Sequence, residues 1–298
     1  MAFKIGFTAE HTERKPEAPV ASVQTCVVPK KSLVQVRFPG KGMALSYYND
    51  LFDLKPGDFV YVDGKLEGQL GRIVDVSYNF KIKIADYKRV IAVVNTSVSG
   101  QFHMAGSHFV TFERSTLPKE QISLWFKAPA KEDDEYVSST DDSSFRLDDL
   151  NTMKITPAIA ERGHEYYMEN RVRYIVLDGS HGYAIVEGSE SYIVEFEYHD
   201  GEISQLICEC PCSYNCKHEF AAMLQLRETL ELIEKHYAEE YKRTGYGACP
   251  DGDEFLIQLS VVHHERRVYS AKRIIFEMSD DLWDIYMDKK DAVLGVNA

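Results

Sequence analysis

The chain has 298 residues, of which 44% are hydrophobic and 27% charged, enough for one large core or two modest ones. Its formal net charge of −13 works against long-range attraction to a phosphate backbone, because that attraction rests largely on Lys and Arg. No apolar run reaches the roughly 18 residues of a membrane-spanning helix, so no membrane partner is expected.

The segment Met1-Ala2-Phe3-Lys4-Ile5-Gly6 lacks the apolar core and cleavage site of a signal peptide, and a cytoplasmic or nuclear location is expected. Residues 1–30 are polar and mixed in charge around Lys15-Pro16-Glu17-Ala18-Pro19. They read as a flexible tail with one short strand at Ser22–Val28.

From 31 to 130 the pattern is β-type. Leu33–Phe38, Asp58–Val62, Gln69–Val76, Phe80–Ala85 and Val90–Val94 read as strands. The turns Lys55-Pro56-Gly57-Asp58 and Asp63-Gly64 supply the dihedral angles that tight reversals need. Short strands at this spacing predict a small antiparallel β-barrel-like domain, and the Pro-Gly-Asp turn before an alternating strand resembles SH3-like barrels. Lys81, Lys83, Lys88 and Arg89 lie near Tyr78, Phe80 and Tyr87, a mixture that fits either nucleic acid or a solvated strand face. His103–Ala128 reads as further strand followed by a short amphipathic segment ending in Leu124-Trp125-Phe126.

Residues 131–150 hold eight acidic residues against two basic ones and few apolar groups, so they read as an acidic linker. In the next unit, 151–236, Thr156-Pro157 is an N-cap and first helical residue, and the helix runs to about Glu169. Strands follow at Arg171–Leu177, Gly182–Glu187, Tyr192–Tyr198 and Ile203–Ile207, with Asp178-Gly179 and Asp200-Gly201 as turns. A helix behind His218 extends to about Lys235, its apolar positions recurring at helical spacing. Gly245–Gly252 reads as a break. The extension 237–298 offers strands at Phe255–Val261 and Val268–Phe276 and a short helix at Leu282–Met287. The fold class expected is α+β.

Four of the six cysteines fall within Cys208-Glu209-Cys210-Pro211-Cys212-Ser213-Tyr214-Asn215-Cys216-Lys217-His218, while Cys26 and Cys249 stand alone. Neighbouring Cys-x-Cys pairs rarely meet disulfide geometry, so the cluster points to metal. Two thiolates from a strand end and a Cys-x-His pair from the first turn of a helix make the tetrahedral shell of a structural Zn²⁺. Cys208, Cys210, Cys216 and His218 are the expected ligands of one zinc per chain, with Cys212 as the alternate.

The order Cys-x-Cys-Pro…Cys-Lys-His before an Ala-rich apolar helix resembles the SWIM-type zinc finger. The resemblance extends upstream to Arg162-Gly163-His164-Glu165-Tyr166-Tyr167 and to Val186-Glu187-Gly188-Ser189-Glu190-Ser191-Tyr192, and covers about residues 153–235. It implies a module that binds DNA or proteins, and it favours Cys208 with Cys210 because the proline follows the second cysteine of the pair.

A shell closed by three thiolates and an imidazole leaves no position for a catalytic water. His218-Glu219 and His164-Glu165 are followed by Ala222 and Met168 where a metalloprotease helix needs its second His. Gly40-Lys41-Gly42 lacks the spacing of a phosphate loop, no Gly-x-Ser-x-Gly elbow is present, and His263-His264 reads as a surface or capping pair. No catalytic constellation is found. The reading is therefore a zinc-binding interaction protein; the alternative is an enzyme whose active site lies outside the zinc module. Residues 151–235 carry seven basic and fifteen acidic groups, which favours a protein partner there and leaves DNA or RNA to the N-terminal region.

Overall fold

A computed structural model describes residues 29–96, 98, 100–130 and 143–252 with their side chains, and 274–277 as backbone. The strands expected at Ser22–Val28 and Phe255–Val261, the helix at Leu282–Met287 and the His263-His264 pair lie outside the described residues.

Five antiparallel strands, β1 (Ser32–Arg37), β2 (Leu45–Asn49), β3 (Phe59–Val62), β4 (Gly71–Ser77) and β5 (Val90–Val94), form a sheet of order β2-β1-β4-β3-β5. Alternation drives it: Val34 and Val36 of β1 are buried, and with Phe38, Tyr47, Leu54, Val60, Val62, Ile73 and Val90 they make a core of their own. The expected barrel does not close. A barrel needs a continuous ladder between its first and last strands, and β2 meets the chain entering β5 at one bridge, Tyr48–Arg89, with the Tyr48 N–H donating to the Lys88 carbonyl at 2.8 Å. The next carbonyl, of Arg89, accepts from the Asp63 N–H at 2.9 Å, and from Val90 onward the strand follows β3.

Phe80–Ala85 is not a strand but an irregular connection ending in a 3-10 turn at Ile84–Asp86. Strand β4 already pairs with β1 and β3 on its two sides, and the segment that follows crosses the end of the sheet to reach β5, with Lys81, Lys83, Ile84 and Ala85 exposed. Strand β2 was not expected, because Ser46-Tyr47-Tyr48 shows no apolar–polar alternation.

A hairpin of β6 (Gly100–Ala105) and β7 (His108–Val110) turns at Gly106, whose φ of +64° suits glycine. Helix α1 (Lys119–Phe126) buries Ile122 and Trp125, and the Trp125 indole N–H donates to the Asn95 carbonyl at 2.9 Å.

After β8 (Phe145–Arg146) comes α2 (Pro157–Met168), capped by the Thr156 hydroxyl, which accepts from the Ile159 N–H. Strands β9 (Val172–Asp178), β10 (His181–Glu187), β11 (Ser191–His199) and β12 (Glu202–Cys208) form a meander, turning between β11 and β12 on Asp200 and Gly201 at φ +48° and +82°. These are the dihedrals a two-residue hairpin demands. Helix α3 (Lys217–His236) follows, then α4 (Ala238–Thr244) and β13 (Tyr246–Pro250). The six-stranded sheet has the order β13-β9-β10-β11-β12-β8. The break expected at Gly245–Gly252 thus holds a buried strand. Pro250 is tolerated because β13 is an edge strand. Backbone 274–277 (β14) adds in parallel to β6, in a sheet of order β14-β6-β7.

The main core lies between the six-stranded sheet and α3, and includes Tyr174, Ile185, Val194, Phe196, Ala222, Met223 and Ile233. Tyr61, Ala92 and Val94, on the outer face of the first sheet, belong to this same cluster, as do Phe102, Val110, Ile122 and Trp125. Leu147 and Leu150, at the end of the acidic stretch, are packed into it too. The fold is mixed α+β with mostly antiparallel sheets. Among the described residues no helix is long and apolar enough to cross a membrane.

Candidate metal centre

Strand β12 and helix α3 set the site. Cys208 is the last residue of β12, paired with Val194 of β11, and the Glu209 N–H donates to the Ile193 carbonyl at 3.0 Å. This keeps the chain against β11 up to the buried Cys210. Residues 211–214 are exposed and form the tip of the loop. The chain returns at Cys216, the N-cap of α3, and His218 follows in the first turn.

The donor atoms of Cys208, Cys210, Cys216 and His218 all lie within 4.8 Å of one another. His218 Nδ1 stands 3.6 Å from Cys216 Sγ and 3.8 Å from Cys208 Sγ. Cys210, Cys216 and His218 are buried and Cys208 is half-buried. Four such groups can hold a metal ion. Cys212, the alternate ligand, is exposed and lies outside this group.

Charge explains what the cluster lacks on its own. Cys216 is held low, at about 4, by a hydrogen bond from the Cys208 thiol, then by His218 and the Glu219 N–H. Cys208, which keeps that proton, is pushed up by the same bond and by burial. Burial pushes Cys210 to about 12. One thiolate is therefore favoured at the positive end of α3, and further thiolates beside it are opposed. A divalent cation held by these residues would reverse that balance, since it would stabilise every thiolate around it.

The helix start is secured by Glu219, which the spacing from His218 marks as no metalloprotease residue but which has a capping role here. Its carboxylate accepts from the Cys216 N–H at 2.7 Å, while Cys216 Sγ accepts from the Glu219 N–H at 3.5 Å. This is a capping box with cysteine in the usual Ser or Thr place. Its signal was present as Glu at the third position after a capping residue. Burial, and then the Cys216 thiolate, push Glu219 up to about 8.

The far side of His218 is aromatic. Tyr192 stacks on the imidazole at 4.6 Å between centroids, and Tyr166 lies at 5.5 Å. His218 Nε2 is buried without a hydrogen-bond partner. Gly188 gives it space, since a β-carbon there would stand 2.9 Å from Nε2. Gly163 of α2 sits on the first turn of α3, where a β-carbon would come within 2.9 Å of the Lys217 carbonyl.

Gly40-Lys41-Gly42 lies in the connection between β1 and β2, and His164-Glu165 lies on α2. Neither joins the cluster.

No family model matches the chain, and no solved structure matches it. The chain is similar to an uncharacterized protein of Methanocaldococcus jannaschii, 36% identical over 70 residues, which are 24% of this chain and 29% of that protein. The chain thus spans under a third of that relative's length.

Proposed function

We propose that Cys208, Cys210, Cys216 and His218 hold one structural Zn²⁺, and that residues 151–236 are a SWIM-type zinc finger. The observation that carries the zinc is the spacing of the donors. With Zn–S near 2.3 Å and Zn–N near 2.0–2.1 Å, the edges of a tetrahedron are roughly 3.5–3.8 Å, and the His218 contacts of 3.6 and 3.8 Å match. Three sulfurs and one imidazole form a closed shell, the pattern of a structural centre, so no catalytic step is assigned to it.

The family reading is supported by convergence. The residues of the three motif stretches, far apart in sequence, meet at one place. Gly163 and Tyr166 from the first, and Gly188 and Tyr192 from the second, surround the turn that carries His218. In this reading the metal joins β12 to α3 and presents the loop 211–215, with Tyr214 exposed at its tip, to a macromolecular partner. The balance of −8 over 151–235 favours a protein at this face.

Elemental analysis of the purified full chain tests the metal. One zinc per chain is expected, kept in Cys212→Ser and lost in Cys208→Ser. A different metal, no metal, or loss confined to Cys212→Ser would overturn the assignment.

A further inference from the structure

Charge is distributed unevenly over the molecule. Residues 29–94 carry eleven basic and seven acidic groups, a balance of +4 inside a chain of −13. At one end of the five-stranded sheet five lysines gather, with Asp86 and Asp50 among them. Lys30 and Lys31 enter β1 there, beside the end of β2, and the connection from Tyr78 to Arg89 crosses the same end. Lys30, Lys31, Lys81, Lys83 and Lys88 are all exposed. Among the described residues none of the five forms an ion pair, whereas Arg89 is tied to Asp50 at 2.8 Å.

Aromatic and aliphatic side chains are interleaved with these cations. Tyr78 is 44% exposed, Leu51 59% and Ile84 48%. Lys30 Nζ lies 4.5 Å above the Tyr78 ring. Tyr48 links the two parts of the patch: it stands edge-on to Phe80 at 6.3 Å, and the Arg89 guanidinium lies 5.3 Å above its ring. Of the six large hydrophobic side chains that the described residues expose, Leu51, Tyr78 and Ile84 lie in the connections at this end.

We propose that this end of the five-stranded sheet binds single-stranded nucleic acid, through these five exposed lysines and the exposed Tyr78. The lysines supply phosphate contacts, and an aromatic ring among them offers a stacking platform that any base can use. A duplex keeps its bases stacked inside and leaves Tyr78, Leu51 and Ile84 without a partner, so the single strand is favoured. The acidic remainder of the chain does not prevent contact, because charges more than about 8 Å away are largely screened at physiological salt. This deepens the partner side of the proposed function and does not depend on the zinc.

The test is fluorescence anisotropy of the full chain with a labelled oligothymidylate, a labelled oligouridylate and a labelled mixed-sequence duplex, with sedimentation on phosphatidylserine-containing vesicles alongside. Expected are binding of single strands that weakens with salt, with a log–log slope of up to about −3.5 for five phosphate contacts, and weaker binding of the duplex. The triple variant K81Q/K83Q/K88Q should bind about tenfold or more weakly at low salt, with a slope shallower by about 2. Tyr78→Leu should weaken single-strand binding with the slope unchanged. Circular dichroism checks that both variants keep the fold. No binding by the native chain, equal binding by the triple variant, a preference for duplex, or binding to vesicles alone would each overturn the proposal. Cys208→Ser separates this reading from the metal: it should lose zinc and retain oligonucleotide binding.

Discussion

Gly188 lies against the edge of His218: a β-carbon on Gly188 would stand 2.9 Å from His218 Nε2 and 2.9 Å from the Tyr192 ring. The relationship ties the β10–β11 turn to the first turn of α3. Gly188→Ala is therefore expected to push the imidazole off its position, with metal affinity reduced about tenfold, the lower end of what loss of an orienting neighbour costs. Competition with a chromogenic chelator measures it. Unchanged affinity would show that the turn is free to give way.

Gly163→Ala is a test of sign. In an exposed helix the change stabilises by about 0.5–1 kcal/mol. Here the new methyl would meet the Phe220 ring at 2.8 Å and the Lys217 carbonyl, a backbone atom, at 2.9 Å, and overpacking of this kind costs about 1–3 kcal/mol. Net destabilisation of about 1–2 kcal/mol is expected in urea unfolding. A rise in stability would mean that α2 slides away from α3 at little cost.

Removal of the metal should act locally. The Cys/His cluster joins β12 to α3, while Val34, Val36, Phe38, Val60 and Ile73 form a separate core in the first sheet. Chelation is expected to abolish amide protection over 208–219 and weaken it in α2, and to leave β1, β3 and β4 protected. Hydrogen exchange read by mass spectrometry distinguishes this from global unfolding.

Arg173 bridges Glu187 at 2.6 Å and the buried Asp251 at 3.0 Å. Glu187 is half exposed, so that pair contributes little; Asp251 is 1% exposed, and stripping its cation leaves a charge in the interior. Arg173→Met should cost about 2–4 kcal/mol. The double variant with Asp251→Asn should recover part of it, and a double-mutant cycle in urea gives the coupling.

Much of the fold was legible because its signals are local. Thr156-Pro157 marks the start of α2, and Asp200-Gly201 marks the β11–β12 turn. Strands whose alternation faces one core, such as β1, were readable for the same reason. Strands β2 and β13 were not. Tyr47 and Tyr48 are both buried, as are all five residues of Tyr246–Pro250, so a chain covered on both faces shows no period of two. The strand expected at Phe80–Ala85 failed for a different reason: its pattern was adequate, but the segment spans the end of the sheet from β4 to β5, and Lys81, Lys83, Ile84 and Ala85 are exposed there with no core to face.

By itself the sequence determined that Cys208, Cys210, Cys216 and His218 stay close, since they fall within eleven residues and chain connectivity alone keeps them near one another. Only the tertiary structure decided what surrounds them. Tyr166, Gly188 and Tyr192 reach His218 from α2 and from the β10–β11 turn, because burying Val194, Phe196 and Met223 in one core presses α2 and the sheet against the same end of α3. Such contacts depend on how apolar faces pack across long sequence separations, which spacing along the chain does not encode.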